Sequence, residues 1–193
     1  APRRLALKVT ALADKQADLH STRVGTGSAD LVIGCDQIVA ASRDALSRMG
    51  EGRTWAAVNS TGATTAAFVK NPDWQFPAEG SKGAILQACG ADNVDFVDAG
   101  QIATALMGDA IATNMFMLGY SFQKGKVPLS EEALMKAIEL NGVQVGFNKS
   151  AFNWGRYCAH DTAAVAKLAT PATVIEFKRT QTLEEIIAKR VEL

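Results

Sequence analysis

The chain has 193 residues, 48% apolar and 21% charged, the proportions of a soluble globular protein with one sizeable core. Lysine plus arginine equal aspartate plus glutamate at 20 each, so no global positive field gathers nucleic acid or an anionic membrane. No apolar run reaches the ~18 residues of a membrane span, and no apolar stretch follows the basic start Ala1-Pro2-Arg3-Arg4, so the expectation is a cytoplasmic protein.

In chain order, Leu5-Ala6-Leu7-Lys8-Val9 reads as a first strand, and Asp30-Leu31-Val32-Ile33-Gly34 as a clearer one entered from Gly25-Thr26-Gly27-Ser28. Residues 36–49 have helical spacing, with Ile38, Ala41 and Ala45 on one face and Gly50 at the end. Trp55-Ala56-Ala57-Val58 is a buried strand closed by Asn59-Ser60-Thr61-Gly62. The segment Asn71-Pro72-Asp73-Trp74-Gln75-Phe76-Pro77 carries two prolines and two aromatics. Proline fixes φ and removes a donor, so this is a rigid loop, and its large apolar groups call for a surface to dock on.

Residues 83–90 form a short helix and Val94-Asp95-Phe96-Val97 a strand. Residues 100–108 and 110–122 are helices, the second with Ile111, Met115, Leu118 and Phe122 at 3.6 spacing. Ser130 caps a further helix whose apolar face is Leu134 and Ile138 and which Asn141-Gly142 stops. Residues 143–168 are one long helix or two. Thr173-Val174-Ile175-Glu176-Phe177 is a β-branched strand, and Thr182 with Glu185 makes a capping box before a last helix. Strands alternate with helices in the first half and helices dominate the second. The fold class is therefore α/β, a mainly parallel Rossmann-like sheet flanked by helices, in a single domain over residues 1–193.

The chemistry-bearing motifs are sparse. Cys35, Cys89 and Cys158 are odd in number and lack C-x-x-C spacing, which argues against disulfides and against a zinc or iron–sulfur site built by this chain alone. Gly25-Thr26-Gly27 is a turn or a ligand loop; the dinucleotide fingerprint fails because Asp30 stands at the third glycine and a strand, not a helix, follows. Asn59-Ser60-Thr61-Gly62 sits at the carboxyl end of a parallel strand, where open α/β sheets bind ligands, and is either a phosphate or carboxylate cradle or a plain loop. His20 with Asp18, and His160 with Asp161, are sequence neighbours rather than triads, and no serine lies in G-x-S-x-G. Asp98 and Asp109 read as a strand-end acid and a helix cap rather than metal ligands. Residues 148–160 mix Phe152, Trp154 and Tyr157 with Asn148, Asn153, Arg156 and His160, a mixture found more often on a helix that packs on a partner than on one that binds a cofactor.

Several segments together resemble the gamma domain of indolepyruvate ferredoxin oxidoreductase, within the wider 2-oxoacid:ferredoxin oxidoreductase family. They are Arg23-Val24-Gly25-Thr26-Gly27 through Cys35-Asp36, the Asn-Pro-Asp-Trp loop, Asp98-Ala99, Asn114 to Gly119, Gln123-Lys124-Gly125, Ala137 to Val143, and Asn148-Lys149 with Ala151-Phe152 and Trp154-Gly155-Arg156. The loop resembles the long fused bacterial form. The resemblance implies oxidative decarboxylation of aryl pyruvates to acyl-coenzyme A, with thiamine diphosphate supplying the carbanion chemistry and iron–sulfur clusters passing electrons to ferredoxin. It implies that thiamine diphosphate, magnesium and the clusters sit elsewhere in the parent enzyme, that this chain holds no cofactor, metal or catalytic residue of its own, and that its partners are the other domains or subunits. This domain then docks and shapes, and borders the coenzyme A path. The ligand- or interface-facing positions are Gly25, Gly27, Asn59, Thr61, Gly62, Asn114 and Asn148.

The family's opening strand, glycine-rich turn and helix do not precede Leu5, so the expectation is an excised piece of a longer polypeptide, inactive alone and prone to self-association through an uncovered edge. Two rival readings stand beside it: a stand-alone Rossmann-like nucleotide-binding oxidoreductase, and an interaction module with no ligand.

Overall fold

The computed structural model describes residues 24–62 and 78–170. The expected strands at 5–9 and 173–177, the capping box at Thr182, His20 and the Asn-Pro-Asp-Trp loop lie outside the described residues. Three strands, β1 (Leu31–Gly34), β2 (Trp55–Asn59) and β3 (Val94–Val97), form a parallel sheet in the order β1-β2-β3. Leu31 pairs with Trp55 and Ala56 with Val94, which sets the register of both parallel pairs. Strand β2 is central and buried at every position, which is why it reads as an unbroken apolar run instead of an alternation.

The two faces of β2 serve two cores. Ala56 and Val58 point to a cluster with Ala40, Met49, Ile85 and Cys89, drawn from α1 (Gln37–Ala40), α2 (Arg43–Arg48) and α3 (Ala78–Cys89). Trp55 and Ala57 point to a larger cluster with residues of α4 (Ala99–Met107), α5 (Thr113–Gln123), α7 (Val145–His160) and α8 (Thr162–Ala169). The result is three layers, helix on sheet on helix, with α6 (Glu131–Asn141) outside α7.

Local chemistry sets the boundaries. The single helix expected over 36–49 is two, because Asp36 caps α1 through the Ile38 and Val39 amides and Ser42 restarts the chain by accepting from the Ala45 amide. The fully buried residues are Gln37, Ala40 and Met49; of the expected face, Ala41 and Ala45 are partly buried and pack against the same core. Helix α3 starts at Ala78, five residues before the expected 83. Ser130 caps α6, Leu134 and Ile138 are its buried face, and Gly142 closes it in the left-handed conformation, as its sequence predicts. Residues 143–168 resolve into two helices, since Asp161 caps α8 by accepting from the Ala164 amide.

Helix α5 departs most from its amphipathic reading. Ile111 is 62% exposed and lies in a 3-10 turn, Ala110–Ala112, before the helix. The helix itself is buried nearly all round at Met115, Phe116, Met117, Gly119, Tyr120 and Ser121. It lies between the sheet and α7, and the α5–α7 contact is the most extensive between elements. Two glycines make that contact possible. A Cβ on Gly119 would stand 1.9 Å from the Phe152 carbonyl oxygen, and one on Gly155 would stand 1.9 Å from that of Phe116. Each helix therefore seats its glycine on the other's backbone.

This geometry reverses the usual preference for alanine over glycine in helices. Gly119→Ala and Gly155→Ala are expected to destabilise the chain by roughly 3 kcal/mol or more, by overpacking. In α3, an added Cβ on Gly80 or Gly83 meets nothing within 4 Å among the described residues, so alanine there is expected to stabilise by about 0.5–1 kcal/mol. Urea unfolding of the four variants reads the opposite signs.

Candidate functional site

The carboxyl ends of the parallel strands are closed by a polar clasp built on Asn59, the last residue of β2. Asn59 is 6% exposed. Its Nδ2 donates to the Cys35 carbonyl after β1 at 3.1 Å, and its Oδ1 accepts from the Thr61 amide at 3.1 Å and the Gly100 amide at 3.0 Å. One carboxamide thus ties together the chain leaving all three strands. The Thr61 hydroxyl adds to it, donating to the Asp98 carboxylate and accepting from the Gln101 amide at 3.1 Å. Asp98 stands at the cap position of α4 without capping it; Thr61 and Asn59 satisfy the first-turn amides instead. Gly100 makes room, since a Cβ there would meet the Thr61 hydroxyl at 2.8 Å.

Beyond the clasp lies an open cleft of about 680 Å³, within the size range of small-ligand sites. Its floor is Cys35, Asn59, Thr61, Gly62 and Gly100. One wall is Gln101, Thr104 and Ala105 of α4. The other is Ala110, Thr113, Asn114 and, from α8, Ala169. None of these lining residues carries a charge. Thr104 donates to the Gly100 carbonyl at 2.7 Å and Thr113 to that of Ala110 at 2.7 Å. The side chains of Gln101 and Asn114 make no hydrogen bond among the described residues, and both are exposed.

Four of the positions singled out from sequence, Asn59, Thr61, Gly62 and Asn114, come together in this cleft. Gly25 and Gly27 do not. They form a turn before β1, at the opposite end of the sheet, where Gly27 (φ +63°) donates its amide to the Ser47 carbonyl at 2.9 Å. Asn148 also stands apart, on the first turn of α7, donating to the Val143 carbonyl at 2.8 Å. The α4 and α8 residues of the lining were missed. Asp98-Ala99-Gly100-Gln101 follows β3 at the same sheet edge as Asn59, so the strand-end argument applied to β2 would have found Gly100 and Gln101 had it been applied to β3.

The other titratable groups are structural. Burial, and after it the neighbouring Asp36 carboxylate, push the Cys35 thiol up to about 11, so the cleft presents a neutral thiol. Burial, then the 2.9 Å bond to Asp95, lifts the Tyr120 hydroxyl well above its ordinary value; Lys124 joins the same carboxylate at 3.3 Å. Asp161 caps α8 rather than orienting His160. Arg156 binds Gln123 and Glu131 and stacks on Phe122, joining α7 to α5 and α6. The outward edge of α7 is Asn153, Tyr157 and His160, with Trp154 half-buried beside Tyr157.

The groups implied by the resemblance do not fit this site. Thiamine diphosphate needs a divalent cation and a seat for its diphosphate, and among the described residues the lining offers neither a carboxylate nor a cation. An iron–sulfur cluster needs convergent thiolates. Cys89 belongs to the core on one face of the sheet and Cys158 to the core on the other. Among the described residues, no three His, Cys, Asp or Glu side chains gather closely enough to hold a metal ion.

Parallel strands in a three-layer arrangement define an α/β domain with a cleft outside the strand termini, the place where open sheets of this kind bind ligands. The family model of pyruvate ferredoxin/flavodoxin oxidoreductase matches residues 8–157, and the chain belongs to that family. No curated protein and no solved structure matches. Among the described residues, no helix is long and apolar enough to cross a membrane.

Asn59→Leu leaves the Gly100 amide and the Cys35 carbonyl without partners, and is expected to cost about 3 kcal/mol in urea unfolding. Thr61→Val removes one helix-capping acceptor and is expected to cost about 1 kcal/mol. With its pKa raised, Cys35 carries little thiolate at pH 8, and its alkylation by iodoacetamide is expected to run at least about tenfold slower than that of a free thiol. Asp36→Asn removes a charge that opposes ionisation, so it is expected to speed labelling, with mass spectrometry of the Cys35 peptide as the readout.

Proposed function

We propose that this chain is a docking and shaping domain of a 2-oxoacid:ferredoxin oxidoreductase acting on aryl pyruvates such as indolepyruvate. The observation that carries the reading is the family match over residues 8–157. The aryl preference rests on the resemblance of particular segments, above all Asn71-Pro72-Asp73-Trp74-Gln75-Phe76-Pro77, to the indolepyruvate enzymes. In this reading thiamine diphosphate, magnesium and the iron–sulfur clusters belong to other domains or subunits, and ferredoxin and coenzyme A are partners of the whole enzyme.

The domain's contribution is binding and placement. Its cleft at the strand ends borders the path of coenzyme A, with Asn114, Gln101 and Thr104 facing the ligand. Asn59 and Thr61 hold the floor in place and do not themselves bind, since their polar atoms are engaged within the clasp. The edge of Asn153, Tyr157 and His160 is offered to a neighbouring domain, where an aromatic with a polar tip suits a contact that is part dry and part wet.

Calorimetric titration of coenzyme A into the chain is expected to give saturable heat. A silent titration removes the coenzyme A edge from the reading and leaves docking alone. Supplied with indolepyruvate, thiamine diphosphate, magnesium, coenzyme A and a viologen acceptor, the chain by itself is expected to reduce no acceptor. Turnover would contradict the assignment of the chemistry to other domains.

A further inference from the structure

The chemistry of the cleft narrows what it accepts. Sites for phosphate at the carboxyl edge of a parallel sheet use free amides at a helix N-terminus, supported by a lysine or arginine. Here the relevant donors are spent. The Thr61 and Gly100 amides donate to Asn59 Oδ1 and the Gln101 amide donates to the Thr61 hydroxyl. The positive end of α4 is further offset by the Asp98 carboxylate, which the Thr61 hydroxyl holds at the helix start. Among the described residues no cation lines the cleft. An anion at the cleft floor would face the Asp98 carboxylate that Thr61 holds.

What the cleft does offer is neutral. The carboxamides of Gln101 and Asn114 each present donors and acceptors with no partner among the described residues. The Thr104 hydroxyl, already donating to the Gly100 carbonyl, keeps its lone pairs free to accept. Ala105, Ala110 and Ala169 supply small apolar surface between these polar points. Neutral amides, a hydroxyl and alanine methyls on the two walls are the complement of an uncharged chain that carries amide and methylene groups.

We infer that the cleft between α4, α5 and α8 selects an uncharged, amide-bearing chain and turns phosphate away. This rests on the reading of the cleft as a ligand edge. If coenzyme A is the ligand, only its uncharged arm enters and its phosphates stay outside.

The test uses the whole ¹⁵N-labelled chain, titrated separately with pantetheine, as an uncharged diamide chain, and with inorganic pyrophosphate, while amide chemical shifts are followed. Saturable shifts at Gln101, Thr104 and Asn114 with pantetheine, and none there with pyrophosphate, are expected. The double variant Gln101→Ala with Asn114→Ala, both at exposed positions, is expected to weaken pantetheine by about tenfold, the loss of two neutral hydrogen bonds. Pyrophosphate shifting the cleft amides while pantetheine does not would overturn the selectivity and leave the ligand edge standing. Cleft amides unmoved by either compound would overturn both.

Discussion

The rest of this structure depends on two glycines placed backbone to backbone. Where α5 crosses α7, Gly119 lies against the Phe152 carbonyl and Gly155 against that of Phe116. The approach is closer than any side chain permits, and it lets Phe116, Met117, Ala151, Phe152 and Cys158 close into a dry seam. From that seam the neighbouring parts take their positions. The inner face of α5 meets Trp55 and Ala57 of β2, and its first turn carries Thr113 and Asn114 to the cleft. Helix α8 packs on α7 and α4 and brings Ala169 to the same cleft. Spreading α5 from α7 would move one wall of the site.

A second constraint governs the chemistry. Parallel strands leave their carboxyl ends pointing the same way, and a helix that begins there has amides without partners. In many α/β domains a ligand satisfies them. Here Asn59 and Thr61 do so internally, and the sheet edge becomes rigid and electrically quiet. That suits a domain that positions a substrate arm or a neighbouring domain for chemistry performed elsewhere. The family to which the chain belongs provides the redox setting.

Much of this was legible in the sequence where one residue type has one physical use. The unbroken apolar run of 55–58 announced a strand covered on both faces, and Ser130 and Gly142 marked the ends of α6 through capping. The strand-end rule led to Asn59, Thr61 and Gly62. What stayed hidden depended on tertiary partners. Helical spacing placed Ile111 on a buried face, but the chain makes a 3-10 turn there and leaves it exposed. The packing role of Gly119 and Gly155 follows only from the carbonyls that oppose them in the fold. The pattern also showed Asn59 as polar and near a ligand edge, without showing that its three hydrogen bonds would be made within the protein. Of the two readings of Gly25-Thr26-Gly27, the turn is the one the structure shows, at the far end of the sheet from the cleft.

The most direct test of this account is native-state hydrogen exchange of the chain across a denaturant series. If the glycine crossing organises the molecule, amides within Thr113–Gln123 and Val145–His160 will exchange only through global unfolding, and the Gly100 amide held by Asn59 will follow them. Exchange of those helices by local opening, with the sheet still protected, would contradict it.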